Sequence, residues 1–213
     1  MRASLTILAV AIVTTLCCRV GAGEVEDTTC HDSVVVDTVT YMIPAWWCSH
    51  KLDTIDLADP AVLVRLPERF CELAYQIYLE RSARDALVVM AEAALRDSVR
   101  LLVRSGYRSP GYQLKLLRRR LANGQSFRSI MWAVAPPGYS QHHTGRAVDL
   151  TTADTTSVPF AQRKAYRWLR ANADRFGFSE TYPPENESPP AAEPWHWYHS
   201  GSDKVLDAEV TAD

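Results

Sequence analysis

The stretch Arg146-Ala-Val-Asp-Leu-Thr151 constrains this chain more than any other. It reads as a buried strand, with Ala147 and Asp149 on one face and Val148 and Leu150 on the other. A carboxylate in the middle of such a strand is costly unless a cation meets it. The fold must therefore bring a metal ion or a basic side chain to Asp149. On this segment alone, a salt bridge to an arginine is as good a solution as a metal.

A second segment shifts the balance. Ser140-Gln-His-His-Thr-Gly-Arg-Ala-Val-Asp149 places His142 ahead of the strand, with Gly145 between them for a turn or a close approach. Glu193-Pro-Trp-His196 adds another histidine and a carboxylate three residues before it. His142, Asp149 and His196 make a ligand set of the kind a catalytic zinc uses, with the fourth position left to water. Glu193 is then placed to take a proton from that water.

Residues three apart in a regular strand point to opposite faces. Pro194 cannot donate to a strand ladder, so the last strand is expected to start at about Trp195. Glu193 then stays in the loop while His196 turns inward. Trp195 and Trp197 are read as holding that strand in the core, with Trp195 the better candidate to line a groove instead. His143 and His199 are read as outer or surface residues, and Asp154 as the cap of a Thr-rich turn.

Helical periodicity marks residues 67–81 and 82–97, the latter through Ala86, Val89, Met90, Ala93 and Ala94. Val99–Val103 reads as a short strand ending in Ser105-Gly-Tyr-Arg-Ser109, a turn that presents Arg108. Pro110 opens a helix that runs to about Ala122 and stops at Asn123-Gly124. Its Arg118-Arg119-Arg120 run reads as a solvated face rather than a site for anionic polymer. A short helix over 126–133, a helix over 159–174, a strand from Phe176 to Tyr182 and a proline-rich loop over 183–192 complete the pattern. Residues 24–60 read as irregular, with Trp46 and Trp47 as core anchors. Helices and strands mix without regular βαβ repetition, so the class is α+β.

Met1-Arg2 followed by the apolar run Leu5–Leu16 and the small residues of Val20-Gly-Ala22 reads as a secretory signal peptide over 1–22. The bulk of Leu16 and Cys17 argues against a lipoprotein site at Cys17 or Cys18. Cleavage removes Arg2 and Arg19 and leaves 21 basic against 25 acidic residues, a net charge of −4. That argues against nucleic acid as a partner, which calls for a basic face. Export permits disulfides among Cys30, Cys48 and Cys71, with Cys30–Cys48 the default pair and Cys71 a buried thiol. The expected layout is an N-terminal extension over 23–74, one domain over 75–200 and a mobile acidic tail over 201–213, with no stable membrane insertion after cleavage.

The pattern Ser-x-His-x-x-Gly-x-Ala-x-Asp at 140–149, with Glu-x-x-His at 193–196, resembles the VanY-type zinc D-alanyl-D-alanine carboxypeptidases. Their relatives include D-Ala-D-Ala dipeptidases and L,D-carboxypeptidases. Ser105–Ser109 with Gln113, and Pro137-Gly-Tyr-Ser140, are similar to blocks of that family in the same order. The resemblance implies a small α+β fold with a central antiparallel sheet, shared with the zinc-bearing domain of hedgehog proteins. It implies zinc on His142, Asp149 and His196, Glu193 as catalytic base, and Arg108 stabilising the oxyanion or gripping the substrate. Gln113, Tyr139, Ser140 and Trp195 are expected to contact substrate. The implied substrate is a peptidoglycan stem peptide, met in a secreted or periplasmic location. An L,D-carboxypeptidase, an endopeptidase and a non-catalytic wall-binding module remain as alternatives.

Overall fold

The structure, a computed structural model, describes residues 31–73, 75–153 and 156–201. The leader, Cys30, Asp154 and the tail from residue 202 lie outside them. Along β1 (Ser33–Val36) Val36 points inward and Val35 outward, and this strand pairs antiparallel with β2 (Val39–Met42). Asp37 turns the chain between them at φ +57°, a conformation aspartate tolerates better than most side chains. Residues 24–60 are thus not uniformly irregular.

The helix expected over 67–81 does not form. Its apolar residues serve pairings that a helix would break. Cys71 bridges to Val103, the Glu72 N–H donates to the Val103 carbonyl, and β3 (Val64–Arg65) pairs with β4 (Tyr78–Leu79). Ile77 and Leu79 are buried while Tyr78 is exposed, which is a period of two and not of 3.6.

Helix α1 (Arg81–Arg96) follows, its first turn capped by the Glu80 side chain, which accepts from the Ala83 N–H at 3.2 Å. Then come β5 (Leu101–Ser105), α2 (Pro110–Ala122) and α3 (Phe127–Met131). Ser109 caps α2 and Ser126 caps α3, and Pro110 occupies a first-turn position that needs no N–H. The remaining elements are β6 (Ala147–Thr152), α4 (Lys164–Asn172), β7 (Phe178–Glu180) and β8 (His196–His199). The helix expected over 159–174 is shorter because Arg163 stays extended. Its guanidinium spreads to the Val158 carbonyl at 2.8 Å and Thr152 Oγ1 at 3.0 Å, which separates a short turn at Phe160–Gln162 from α4.

Strands β5, β6, β8 and β7 form one antiparallel sheet in that order. Val148, Leu150, Trp197 and Phe178 pack with Leu87 and Met90 of α1 and Leu169 of α4. This covers one face of the sheet with helices, an α+β arrangement. Period-two alternation then sends Asp149 and His196 to the opposite face. A second apolar cluster joins Ile43 and Trp47 to Leu117, Ile130, Met131 and Tyr139. It ties the N-terminal segment to α2 and α3, and the Trp47 indole N–H donates to the Met131 carbonyl at 2.8 Å. Trp46, half-buried, packs against this cluster. Cys48 is disulfide-bonded, while Cys71 is a free, buried thiol. No helix among the described residues is long and apolar enough to cross a membrane.

Gly145 lets the chain turn into β6 at φ +72°, and its carbonyl accepts the Glu80 N–H at 2.9 Å. A Cβ there would lie 2.9 Å from Leu63 Cδ2 and 3.0 Å from the Glu80 nitrogen. Gly145→Ala is expected to cost about 2 kcal/mol. The measurement is the urea midpoint, and a variant as stable as the parent would refute this packing.

Candidate metal centre

Antiparallel register sets Asp149 of β6 directly opposite His196 of β8. His142 reaches the same point from the short turn Gln141–Thr144 that precedes β6. All three residues are buried, and one ligand atom from each lies within 4.8 Å of the others. Asp149 Oδ1 is 3.2 Å from His142 Nε2 and 3.1 Å from His196 Nδ1. Its other oxygen, Oδ2, accepts from Arg108 Nη2. The buried carboxylate thus meets an arginine on one oxygen and turns the other to the two imidazoles.

The outer nitrogens of the two histidines decide what the inner ones can do. His142 Nδ1 donates to the Gly106 carbonyl at 2.7 Å, and burial pushes the ring's pKa down to about 4. At neutral pH its Nε2 therefore carries a lone pair toward Asp149. His196 Nε2 donates to Gln141 Oε1 at 2.9 Å, an oxygen that also accepts from Thr181 Oγ1 at 2.9 Å. In the neutral ring, Nδ1 of His196 likewise has no proton. Burial alone would raise the Asp149 carboxyl, but His142, His196 and Arg108 hold it well below the usual carboxylate range. Three acceptors thus converge without a proton to share, and a divalent cation resolves that arrangement. Two imidazoles and a carboxylate, each histidine held by its outer N–H, fit zinc.

Backbone geometry holds the cluster in place. Only glycine fits at 106, where a Cβ would lie 2.7 Å from Ile77 Cγ2 and 2.9 Å from the Tyr78 carbonyl. The register of β5 against β6 shifts between Val103 and Ser105. A shift of this kind re-aims side chains at the end of a strand. Ser105 Oγ then accepts Arg108 Nε at 2.8 Å. The His142 carbonyl accepts the Arg108 N–H at 3.1 Å, and His143 Nδ1 donates to the Arg108 carbonyl at 2.6 Å. His143 is thus a buried support of the Arg108 turn, not a surface residue. His199 is also fully buried, packed on Phe178 at 5.0 Å between ring centroids.

Glu193 faces the cluster from a turn closed by its own carbonyl, which accepts the His196 N–H at 2.8 Å. Burial pushes its carboxyl up to about 7. A cavity of about 390 Å³ opens in front, lined among others by Arg108, Gln113, Ser140, Glu193 and Trp195. Gln113 is 1 % exposed; its Nε2 donates to the Ala135 carbonyl at 2.8 Å, and its buried Oε1 has no partner among the described residues. Trp195 is partly exposed at the cavity, whereas Trp197 is in the core. Tyr139, expected to contact substrate, is not in the cavity lining. Its ring lies in the second apolar cluster and its hydroxyl donates to Asp32.

Sequence patterns missed Gln141 and Thr181, which orient His196, and Tyr182, whose ring lies 5.4 Å from that of His196. Gln141 occupies the variable place of the Ser-x-His pattern, so nothing local distinguishes it. In the arginine run Arg118 and Arg119 are exposed, as a solvated face requires; Arg118 pairs with Asp37 at 2.7 Å, while Arg119 and Arg120 also line the cavity.

The VanY family profile, described as D-alanyl-D-alanine carboxypeptidase, matches residues 76–202. The chain belongs to the VanY family. A D-alanyl-D-alanine carboxypeptidase of Enterococcus faecalis is 32% identical over 120 residues, covering 52% of this chain and 44% of that protein. The chain spans about half the length of the curated relatives it matches. Among solved structures, the LdcB LD-carboxypeptidase is similar at a TM-score of 0.61 and 25% identity, over 87% of this chain and 90% of that one. A mutant of the vancomycin-resistance D,D-pentapeptidase VanY in complex with Zn(II) gives 0.51 at 28% identity, over 64% and 83%. VanY in complex with D-alanine-D-alanine gives 0.52 at 28% identity, over 65% and 79%.

Gln141→Ala frees the outer nitrogen of His196 while leaving all three ligands in place. Zinc affinity is expected to fall about 10- to 100-fold, measured by competition with a chromophoric chelator. Unchanged affinity would show that Gln141 does not orient the ring.

Proposed function

We propose that this protein is a zinc D-alanyl-D-alanine carboxypeptidase that removes the terminal D-alanine from peptidoglycan stem peptides. The observation that carries the reading is a half-buried carboxyl with a raised pKa, Glu193, lining the same substrate-sized cavity as the His142–Asp149–His196 cluster. Zinc held by those three residues supplies Lewis-acid chemistry, acidifying a water and polarising a carbonyl.

The chain's own groups do the rest. Glu193, with its carboxyl near 7, takes a proton from the attacking water and returns it to the leaving amine. Arg108 keeps further N–H donors beyond those used on Asp149 and Ser105, and these stabilise the developing oxyanion. Gln113 Oε1 accepts a peptide N–H, and Ser140 and Trp195 border the bound chain end. Tyr139 acts only by anchoring the N-terminal segment through Asp32.

The similarity to an LD-carboxypeptidase over most of the chain supports a second reading, removal of the terminal D-alanine from a tetrapeptide. We place the protein outside the cytoplasm, on the leader-like residues 1–22 and the disulfide at Cys48. The catalytic unit is residues 75–200, with 23–74 as an extension.

Glu193→Gln should retain stoichiometric zinc by elemental analysis while D-alanine release falls about 100-fold or more. Retained turnover would overturn the role of Glu193. Mass spectrometry of digested muropeptides separates the readings. Loss of one alanine from pentapeptides marks the first, loss from tetrapeptides the second, shorter fragments an endopeptidase and no change a binding module.

A further inference from the structure

Helix α2 lays one face along the cavity: Tyr112, Gln113, Leu116, Arg119 and Arg120 all line it. Their spacing of three and four residues is that of a single helical stripe. Within the stripe Gln113 is fully buried and Tyr112 beside it exposed, and the last turn carries Arg120, half-buried, and Arg119, exposed. Gln113 and Leu116 form its inner, uncharged part, and the end at Arg119 and Arg120 is cationic.

These two arginines differ from the other cations of the cavity. Arg104 is held by Glu72 at 2.8 and 2.9 Å, and Arg108 by Asp149. Arg118, the third of the run, pairs with Asp37 on the outside. Arg119 and Arg120 form no ion pair among the described residues, in a chain whose net charge is −2. Arg120 is close enough to Glu193 for its charge to act on that carboxyl. Two unpaired guanidiniums at the rim of an otherwise committed site call for an anion brought by the substrate.

A carboxypeptidase admits only the end of its substrate past the metal, so the rim meets residues upstream of the scissile bond. From Tyr112 to Arg120 the helix rises roughly 12 Å, which matches about three to four residues of extended peptide. We propose that Arg119 and Arg120 bind a free carboxylate carried two or three residues upstream of the scissile bond. A stem peptide offers such a group in the α-carboxylate of its γ-linked glutamate, which amidation neutralises. This inference rests on the peptidase reading and names the substrate class within it.

The test compares two synthetic pentapeptides ending in D-Ala-D-Ala, identical except that this carboxylate is free in one and amidated in the other. Binding to the full chain, zinc-loaded and carrying Glu193→Gln so that peptides stay intact, is measured by calorimetry. The free acid should bind about tenfold tighter, with the margin shrinking in high salt. Adding Arg119→Gln and Arg120→Gln should make the two peptides bind alike. Adding Arg119→Lys and Arg120→Lys instead should restore part of the preference. Circular dichroism melts check that each variant is folded. Equal binding of the two peptides by the Glu193→Gln chain, or a preference that survives the double Gln variant, overturns the inference. Failure of the native chain to release D-alanine, with the binding preference intact, sinks the catalytic reading alone.

Discussion

Everything at the centre of this molecule turns on one buried carboxylate. Asp149 sits in the middle of a sheet, with an imidazole on either side of one oxygen and a guanidinium on the other. An ionised carboxylate at that depth has little water to solvate it, so the surrounding elements must deliver positive charge or a metal. The strand order follows from this need. Strand β6 runs between β5, which leads into the Arg108 turn, and β8, which carries His196.

The histidines are oriented from outside rather than by their neighbours in the cluster. A main-chain carbonyl at a position where only glycine fits holds His142, and a side-chain amide fixed by Thr181 holds His196. Each outer bond decides which nitrogen keeps its lone pair, and so leaves both rings able to ligate a metal. The same economy serves Arg108, whose backbone is pinned by His142 and His143 and whose side chain is pinned by Ser105. The base candidate on β8's approach uses a different device, a tight turn that returns Glu193 to the side on which His196 points.

Local pattern and tertiary pairing disagree in particular places. The segment at 67–81 carries enough apolar residues to look helical, yet Ile77 and Leu79 alternate with Tyr78 and the chain adds to sheets instead. Arg163 interrupts an amphipathic helix because three oxygen atoms claim its guanidinium. Tyr139 lies one residue from the cavity-lining Ser140 and still turns into a core of Trp47 and Leu117. In each case the outcome depends on partners tens of residues away, which single-sequence periodicity does not register.

The amino-acid sequence by itself marked the candidate metal cluster and the base candidate and determined the α+β class. Those rest on residue chemistry and short spacings: a carboxylate inside an apolar strand, histidines at set intervals from it, and a proline that starts a strand late. Only the tertiary structure decided which nitrogen of each histidine faces inward, that Gln141 and Thr181 support the site, and that Arg119 and Arg120 turn toward the cavity while Arg118 turns away. These depend on the angle at which a helix or loop packs against the sheet. That angle is set by the whole core and leaves no mark at any single position.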